Sequence, residues 1–131
     1  MEIVTEVWKK VGHQFPEYSA SNLGSVRRDT KRGRKSGRII SQCYTDQGYK
    51  RVIATNSSGK PVTTRAHRLV AMAFVEGYRE GLEVNHKNGI KDDNRPENLE
   101  WVTGQENVRH AVLTGLHLGR PRTKQRNPVL S

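Results

Sequence analysis

The chain is nearly without sulfur chemistry, with a single cysteine, Cys43, in 131 residues. That excludes an intramolecular disulfide framework and a cysteine-based zinc cluster, and it fits a reducing compartment such as the cytoplasm. Aromatic residues make up 6% and hydrophobic residues 33% of the chain, so any core is small and divided among short elements. No apolar run approaches the ~18 residues of a membrane span. The opening Met1–Lys10 also lacks a signal-peptide layout. Acid is scarce as well: 13 Asp+Glu stand against 23 Lys+Arg, for a formal net charge of +10. The length suits one domain, or one small domain with basic arms. The charge points to a polyanionic partner, whether DNA, RNA or anionic lipid.

The excess is unevenly placed. Residues 1–60 carry a net +7, residues 61–119 a net −1 and residues 120–131 a net +4. Two basic flanks around a neutral centre suit arms that grip phosphate on a middle with another task. The densest stretch holds Arg27, Arg28, Lys31, Arg32, Arg34, Lys35 and Arg38, opposed only by Asp29. Gly33, Ser36 and Gly37 give it a loop-like composition, so the expectation is a solvated basic loop that contacts phosphate. It lacks amphipathic helical spacing, which argues against a helix on a membrane surface. In the tail, Gly119-Arg120-Pro121-Arg122 with Lys124 and Arg126 is similar to an AT-hook core, which lies in a narrow minor groove. A plain disordered basic end is the other reading, and it too would touch phosphate.

Short β-like runs alternate with turn signals in the first half. Val7–Val11, Arg38–Ile40 and Tyr49–Thr55 read as strands, Ser21–Gly24 as a turn, and Asn56–Gly59 as a hairpin turn leading to Val62–Arg65. From Ala66 the period changes. Leu69, Val70, Met72, Ala73 and Phe74 predict one apolar face of a short helix that ends near Gly77. Leu82–Val84 and Leu99–Val102 are extended again, joined by a turn-rich loop over residues 87–98. Thr103-Gly104-Gln105-Glu106 is a capping box that opens a helix expected to stop at Gly115.

This strand–loop–strand–helix unit is dense in groups that bind metals or protons: Asn85, His86, Asn98, Asn107 and His110. Asn107 and His110 lie three residues apart and share a helical face, which could pack over Asn85 and His86. A histidine beside a divalent cation is the pairing that splits a phosphodiester, and amide oxygens favour a hard ion, Mg²⁺ or Mn²⁺. On spacing alone His86 also reads as an ordinary structural histidine, and Asn88 and Asn94 read as turn residues.

Three ordered blocks carry a resemblance. Val84–Gly89, Asn98–Thr103 and Glu106–Ala111 look like the HNH endonuclease motif, in the branch found in phage and intron-encoded homing endonucleases. His67–Phe74 is similar to the helix that precedes the motif in that branch. Trp8–Val11 with Tyr18–Arg27 resembles the small NUMOD-like DNA-binding module that leads such nucleases. The resemblance implies an α+β fold: a β-rich DNA-binding module over residues 1–60, a ββα-metal (His-Me finger) nuclease over 61–115, and a basic tail over 116–131.

It further implies metal-dependent cutting of duplex DNA, by nicking or by double-strand cleavage. His86 takes the general-base position, Asn85 and Asn107 the metal-ligand positions, and Asn98 the position that holds the ribbon in shape. His110 is a reserve ligand or a phosphate contact. His67 and Arg68 are expected to pack beside the ribbon or touch DNA. The chain is expected to act as a monomer, with a dimer left open. One departure matters: many members carry Asp where this chain has Asn85, and a carboxylate holds Mg²⁺ far better than a neutral amide. Activity then depends on ligation supplied by the substrate, or it is reduced. The rival to an enzyme is a DNA-binding protein that keeps the scaffold with weak or no catalysis. An RNA-binding or ribosome-associated protein explains the charge but gives His86 and Asn107 no task.

Overall fold

The computed structural model describes residues 4–32 and 34–107. His110, Arg120, Arg122, Lys124 and the expected helix end at Gly115 lie outside the described residues. Four strands, β1 (Trp8–Gly12), β2 (Phe15–Ser21), β3 (Val26–Lys31) and β4 (Arg34–Ile39), form an antiparallel sheet in chain order. A second sheet joins β5 (Cys43–Tyr44), β6 (Lys50–Thr55) and β7 (Pro61–Arg65). Helix α1 (Ala66–Phe74) follows at once, and a ribbon of β8 (Glu83–His86) and β9 (Leu99–Val102) closes the described chain, ahead of a helical start at residues 104–107.

The basic stretch is a hairpin, not the expected loop. Arg28 pairs with Arg38, Thr30 with Lys35 and Lys31 with Arg34 across β3 and β4, and Arg32 takes a positive φ of 55° at the turn. On β3, Asp29 accepts from Lys10, Ser19 and Arg27 at 3.2, 2.6 and 3.0 Å, and Arg28 is paired with Glu17 at 2.7 Å. Strand β4 lies at the sheet's edge and is exposed along its length, where Ser36 and Gly37 cost little and basic side chains discourage pairing with another chain.

Helix α1 is the hub. Its residues Ala66, His67, Leu69, Val70, Ala71 and Met72 are buried, which covers more than the one apolar face its periodicity predicts. The reason is its position: the helix touches strands of both sheets and of the ribbon. One core results, built from Val11, Tyr18 and Val26 of the first sheet, Val52 and Ala54 of the second, Leu69 and Val70 of α1, and Val84 and Leu99 of the ribbon.

The expected division at residues 60 and 61 falls in the turn between β6 and β7, which pair directly from Arg51–Arg65 to Thr55–Pro61, so the regions on its two sides share a sheet. A two-stranded ribbon cannot bury an apolar face alone, so it shares the core of the sheets beside it. Tyr18 adds a polar link, its Oη accepting from the Thr55 amide at 2.8 Å. Among the described residues no helix is long and apolar enough to cross a membrane.

One turn of the first sheet reaches the distal loop. Ser21 Oγ accepts from the Leu23 and Ser25 amides, both at 3.1 Å, and so tightens the turn that holds Gly24. Gly24 has φ of 92°, and a Cβ there would stand 3.3 Å from the Asn94 Cβ. A side chain at this position would be strained and would press on Asn94.

Candidate active site

The ribbon register sorts the candidate residues onto two faces. Glu83 pairs with Val102, Val84 with Trp101, Asn85 with Glu100 and His86 with Leu99. Since side chains alternate along a strand, Glu83, Asn85 and Glu100 share one face, while Val84, His86 and Leu99 share the other. On the first face, Asn85 Nδ2 donates to Glu100 Oε2 at 2.7 Å, and Asn107 Nδ2 donates to Glu83 Oε1 at 2.9 Å.

The capping box delivers Asn107 to this place. The Glu106 carboxylate accepts from the Thr103 amide at 2.8 Å, and Thr103 Oγ1 accepts from the Glu106 amide at 3.1 Å. Asn107 then closes the first helical turn by donating its amide to the Thr103 carbonyl at 3.0 Å. Asn85 and Asn107 are thus brought onto one face, as the expected ligand pair requires.

His86 faces α1 instead, so the expected single grouping divides at the ribbon. Its ring stands edge-on to His67 with centroids 4.6 Å apart, and it lies 5.9 Å from the Tyr49 ring. His86 Nε2 is 2.8 Å from Asn94 Oδ1. With that oxygen accepting, the ring proton sits on Nε2 and the lone pair on Nδ1. Burial pulls His86 below the ordinary imidazole range, opposed by the Asn94 hydrogen bond and the charges of Asp93 and Asp92.

Asn94 is thereby more than the turn residue its setting suggested: it is buried and holds the ring of His86. Nothing in its spacing marks it, because the same loop holds Asn88, Asp92 and Asp93 with ordinary turn roles. Asn88, for its part, does build the turn, its Oδ1 accepting from the Ile90 amide at 2.8 Å.

His67 takes the packing role beside the ribbon, and only its expected DNA contact requires correction. It is 1% exposed, so it cannot meet a phosphate, and neither ring nitrogen has a hydrogen-bond partner. Burial, with the charges of His86, Arg65 and Arg68 adding to it, holds its pKa well below the ordinary range and keeps the ring neutral. It packs between Tyr49 and His86.

Asn98 latches the loop that carries Asn94. Its Oδ1 accepts from the Asn88 amide at 3.0 Å, while Nδ2 donates to Asn88 Oδ1 and to the Asp93 carbonyl, both at 2.9 Å. This is the shape-holding position the resemblance implied. Asp93 is in turn fixed by a two-pronged contact with Arg95, which brings its carboxyl down to about 2.

The basic side chains fall into two groups. Arg28 donates to Glu17 at 2.7 Å, Arg27 to Asp29 at 3.0 Å and Arg68 to the Leu82 carbonyl at 3.0 Å, so all three are held by internal partners. Arg68 also lies over the Trp101 ring, 5.5 Å from its centroid, and ties α1 to the ribbon. Lys31, Arg32, Arg34, Lys35 and Arg38 are exposed on the hairpin. Two further arginines escaped the sequence reading. Arg51 and Arg65 are cross-strand partners in the second sheet and line an open cleft of about 540 Å³ with Tyr44 and Arg68. Arg65 lies over the Tyr49 ring, which itself packs on His67 and His86. Their signal was positional, since only the register brings them together.

As a metal site, the Asn85 face offers oxygen donors only: two amide carbonyls, with the Glu83 and Glu100 carboxylates beside them. Among the described residues no three His, Cys, Asp or Glu side chains gather at one point. That donor chemistry fits a hard, well-hydrated divalent ion and does not fit zinc.

Comparison with known proteins agrees with this layout. An HNH endonuclease family model matches residues 64–109, and the NUMOD4 motif matches residues 6–55. The chain is 41% identical over 108 residues to the DNA endonuclease I-HmuI of Bacillus phage SP01, covering 82% of this chain and 59% of that protein. It is 40% identical over 115 residues to the uncharacterised HNH endonuclease L247 of Acanthamoeba polyphaga mimivirus, covering 86% of this chain and 27% of that protein. A solved structure describing DNA binding and cleavage by the HNH homing endonuclease I-HmuI superposes with a TM-score of 0.65 at 38% identity. That match covers 83% of this chain and 59% of the other, so the chain spans well under two thirds of the relatives it matches. With the NUMOD4 motif matching its first half and the HNH endonuclease model matching its second, the chain is similar in both parts, and in their order, to the HNH homing endonucleases.

Proposed function

We propose that the chain is a metal-dependent endonuclease that hydrolyses phosphodiester bonds of duplex DNA, with His86 as general base. The observation that carries this reading is the convergence of Asn85 and Asn107 on one ribbon face, next in the chain to a histidine whose Nε2 lies 2.8 Å from Asn94 Oδ1. The Asn85 and Asn107 carbonyl oxygens would hold one divalent ion, Mg²⁺ or Mn²⁺, which would supply charge neutralisation at the reacting phosphate. Asn85 and His86 are consecutive, so a phosphate seated at the end of β8 meets the ligand side and the base side together. His86 then takes a proton from water at Nδ1, the nitrogen that carries the lone pair while Asn94 holds Nε2–H. Arg51 and Arg65 line the cleft beside Tyr49 and give the DNA backbone a cationic path toward this end.

The test is incubation of supercoiled plasmid with protein and Mg²⁺ or Mn²⁺. Relaxed circles are expected from wild type and not from the His86→Ala protein. Equal yields from the two would remove the enzyme reading and leave the DNA-binding scaffold as the function.

The exposed hairpin positions the duplex in this reading. Neutralising Arg32, Arg34 and Lys35 to Gln should remove about three counterion-linked contacts, lowering the slope of log affinity against log salt by ~2.7. Turnover of DNA already bound should stay near wild type. A turnover defect with an unchanged salt slope would contradict the positioning role.

A further inference from the structure

An Asp at position 85 would bring a full negative charge to the metal; Asn85 brings none. The geometry shows where that charge is found instead. Asn85 and Asn107 each turn the amide nitrogen onto a carboxylate, that of Glu100 and that of Glu83 respectively. A carboxylate at neutral pH only accepts, so these contacts also fix which way each amide is flipped. An amide whose nitrogen is committed in this way presents its oxygen to any further ligand. Donation to a charged acceptor also polarises the amide and makes that oxygen a stronger donor to a cation.

Both carboxylates sit in built positions. Glu100 is the direct cross-strand partner of Asn85, so the β-ladder itself sets their contact. Glu83 lies against Gly104, where an added Cβ would come within 3.2 Å of Oε2. A side chain at Gly104 would therefore press on the Glu83 carboxylate. Among the described residues, no ion pair uses either glutamate: the five pairs are formed by Asp29, Glu17, Asp93 and Glu97. Two carboxylates on one ribbon face that none of these pairs neutralises suit a cation supplied from solution.

We propose that Glu83 and Glu100 are positioning residues for the metal, holding the Asn107 and Asn85 carbonyl oxygens toward it and supplying the charge that Asp would give. This rests on Asn85 and Asn107 being the ligands, as read above. The pair resolves the difficulty of a hard ion at two neutral amides: the ligands stay neutral, and the charge stands one hydrogen bond behind them.

The experiment measures Mn²⁺ affinity of the full chain by electron paramagnetic resonance of free Mn²⁺, with a short duplex present. Glu100→Gln and Glu83→Gln keep the size of each side chain and an acceptor oxygen while removing the charge. Each is expected to weaken Mn²⁺ binding about 10- to 100-fold. Asn85→Asp in the Glu100→Gln background should restore it, since the charge then sits on the ligand itself. Circular dichroism confirms that each variant is folded. Gln variants that bind Mn²⁺ like wild type, or a double variant that fails to recover, would overturn the proposal. Asn85→Ala and Asn107→Ala separate the two levels. If they too bind like wild type, the ligand reading itself is wrong; if they lose Mn²⁺ while the Gln variants keep it, only the glutamate role falls.

Discussion

Replacing His86 with Ala is expected to lower the rate of phosphodiester cleavage by about 10²- to 10⁴-fold, the range for losing a positioned general base. DNA affinity should stay near wild type, because His86 is buried against His67 and Asn94 and makes no contact that steers a duplex. Truncation also leaves a cavity beside His67, so His86→Gln serves as a variant of closer volume that still lacks a basic nitrogen. Asn94→Ala should give an intermediate loss. It keeps the imidazole but removes the acceptor of Nε2–H, which frees the ring to turn and leaves a buried donor unsatisfied at a cost of about 1–3 kcal/mol. Combining Asn94→Ala with His86→Ala should add almost nothing to the His86 defect, since residues that act as a unit are not additive. Single-turnover rates on prebound plasmid measure this. A His86→Ala protein that cuts at the wild-type rate would end the general-base role, and a fully additive double variant would end the link to Asn94.

The parts of this site that were legible in the sequence are those set by local rules. The capping box at Thr103 and Glu106 is a four-residue pattern with one geometric outcome, and it appears as read. The ribbon strands and the turn-rich loop between them carry their own signals, and Asn98 fills the latch position that the motif implied. What escaped is set by register and burial. Glu83 and Glu100 look like ordinary strand carboxylates until pairing puts Glu100 opposite Asn85 and Gly104 makes room for Glu83. Asn94 looks like its loop neighbours until the loop folds it onto His86. The basic stretch from Arg27 to Arg38 has a loop's composition, yet it pairs as a hairpin, with Asp29 bonded to Lys10 of β1, Ser19 of β2 and Arg27 of β3. The sheet that spans the boundary near residue 60 was hidden for a related reason. Composition changes there, but β6 and β7 pair across it, and composition does not report pairing.

The second large effect follows from that shared core: Leu69→Ala should destabilise both halves of the chain together. Leu69 is fully buried at the middle of α1, between the sheets and the ribbon. Removing it costs about 2–5 kcal/mol, transfer and cavity terms combined. That is a large part of the ~5–15 kcal/mol typical of a domain, and a midpoint drop of ~10–20 °C is expected at this chain length. The two tryptophans report on opposite ends of the core. Trp8 lies on β1 under the Arg27 guanidinium, 4.4 Å from it, and Trp101 lies on β9, where its Nε1 donates to the Val75 carbonyl at 3.0 Å. Single-tryptophan proteins made with Trp101→Phe or Trp8→Phe therefore each watch one end. In each background, Leu69→Ala should lower the thermal midpoint by the same amount, as a single cooperative unit requires. If the Trp101 transition moved while the Trp8 transition stayed in place, the NUMOD4 and HNH regions would be separate folding units. The sheet-to-ribbon path from the basic hairpin to His86 would then lose the support of α1 and rest on the loop contacts of Gly24 with Asn94 and of Tyr49 with His86.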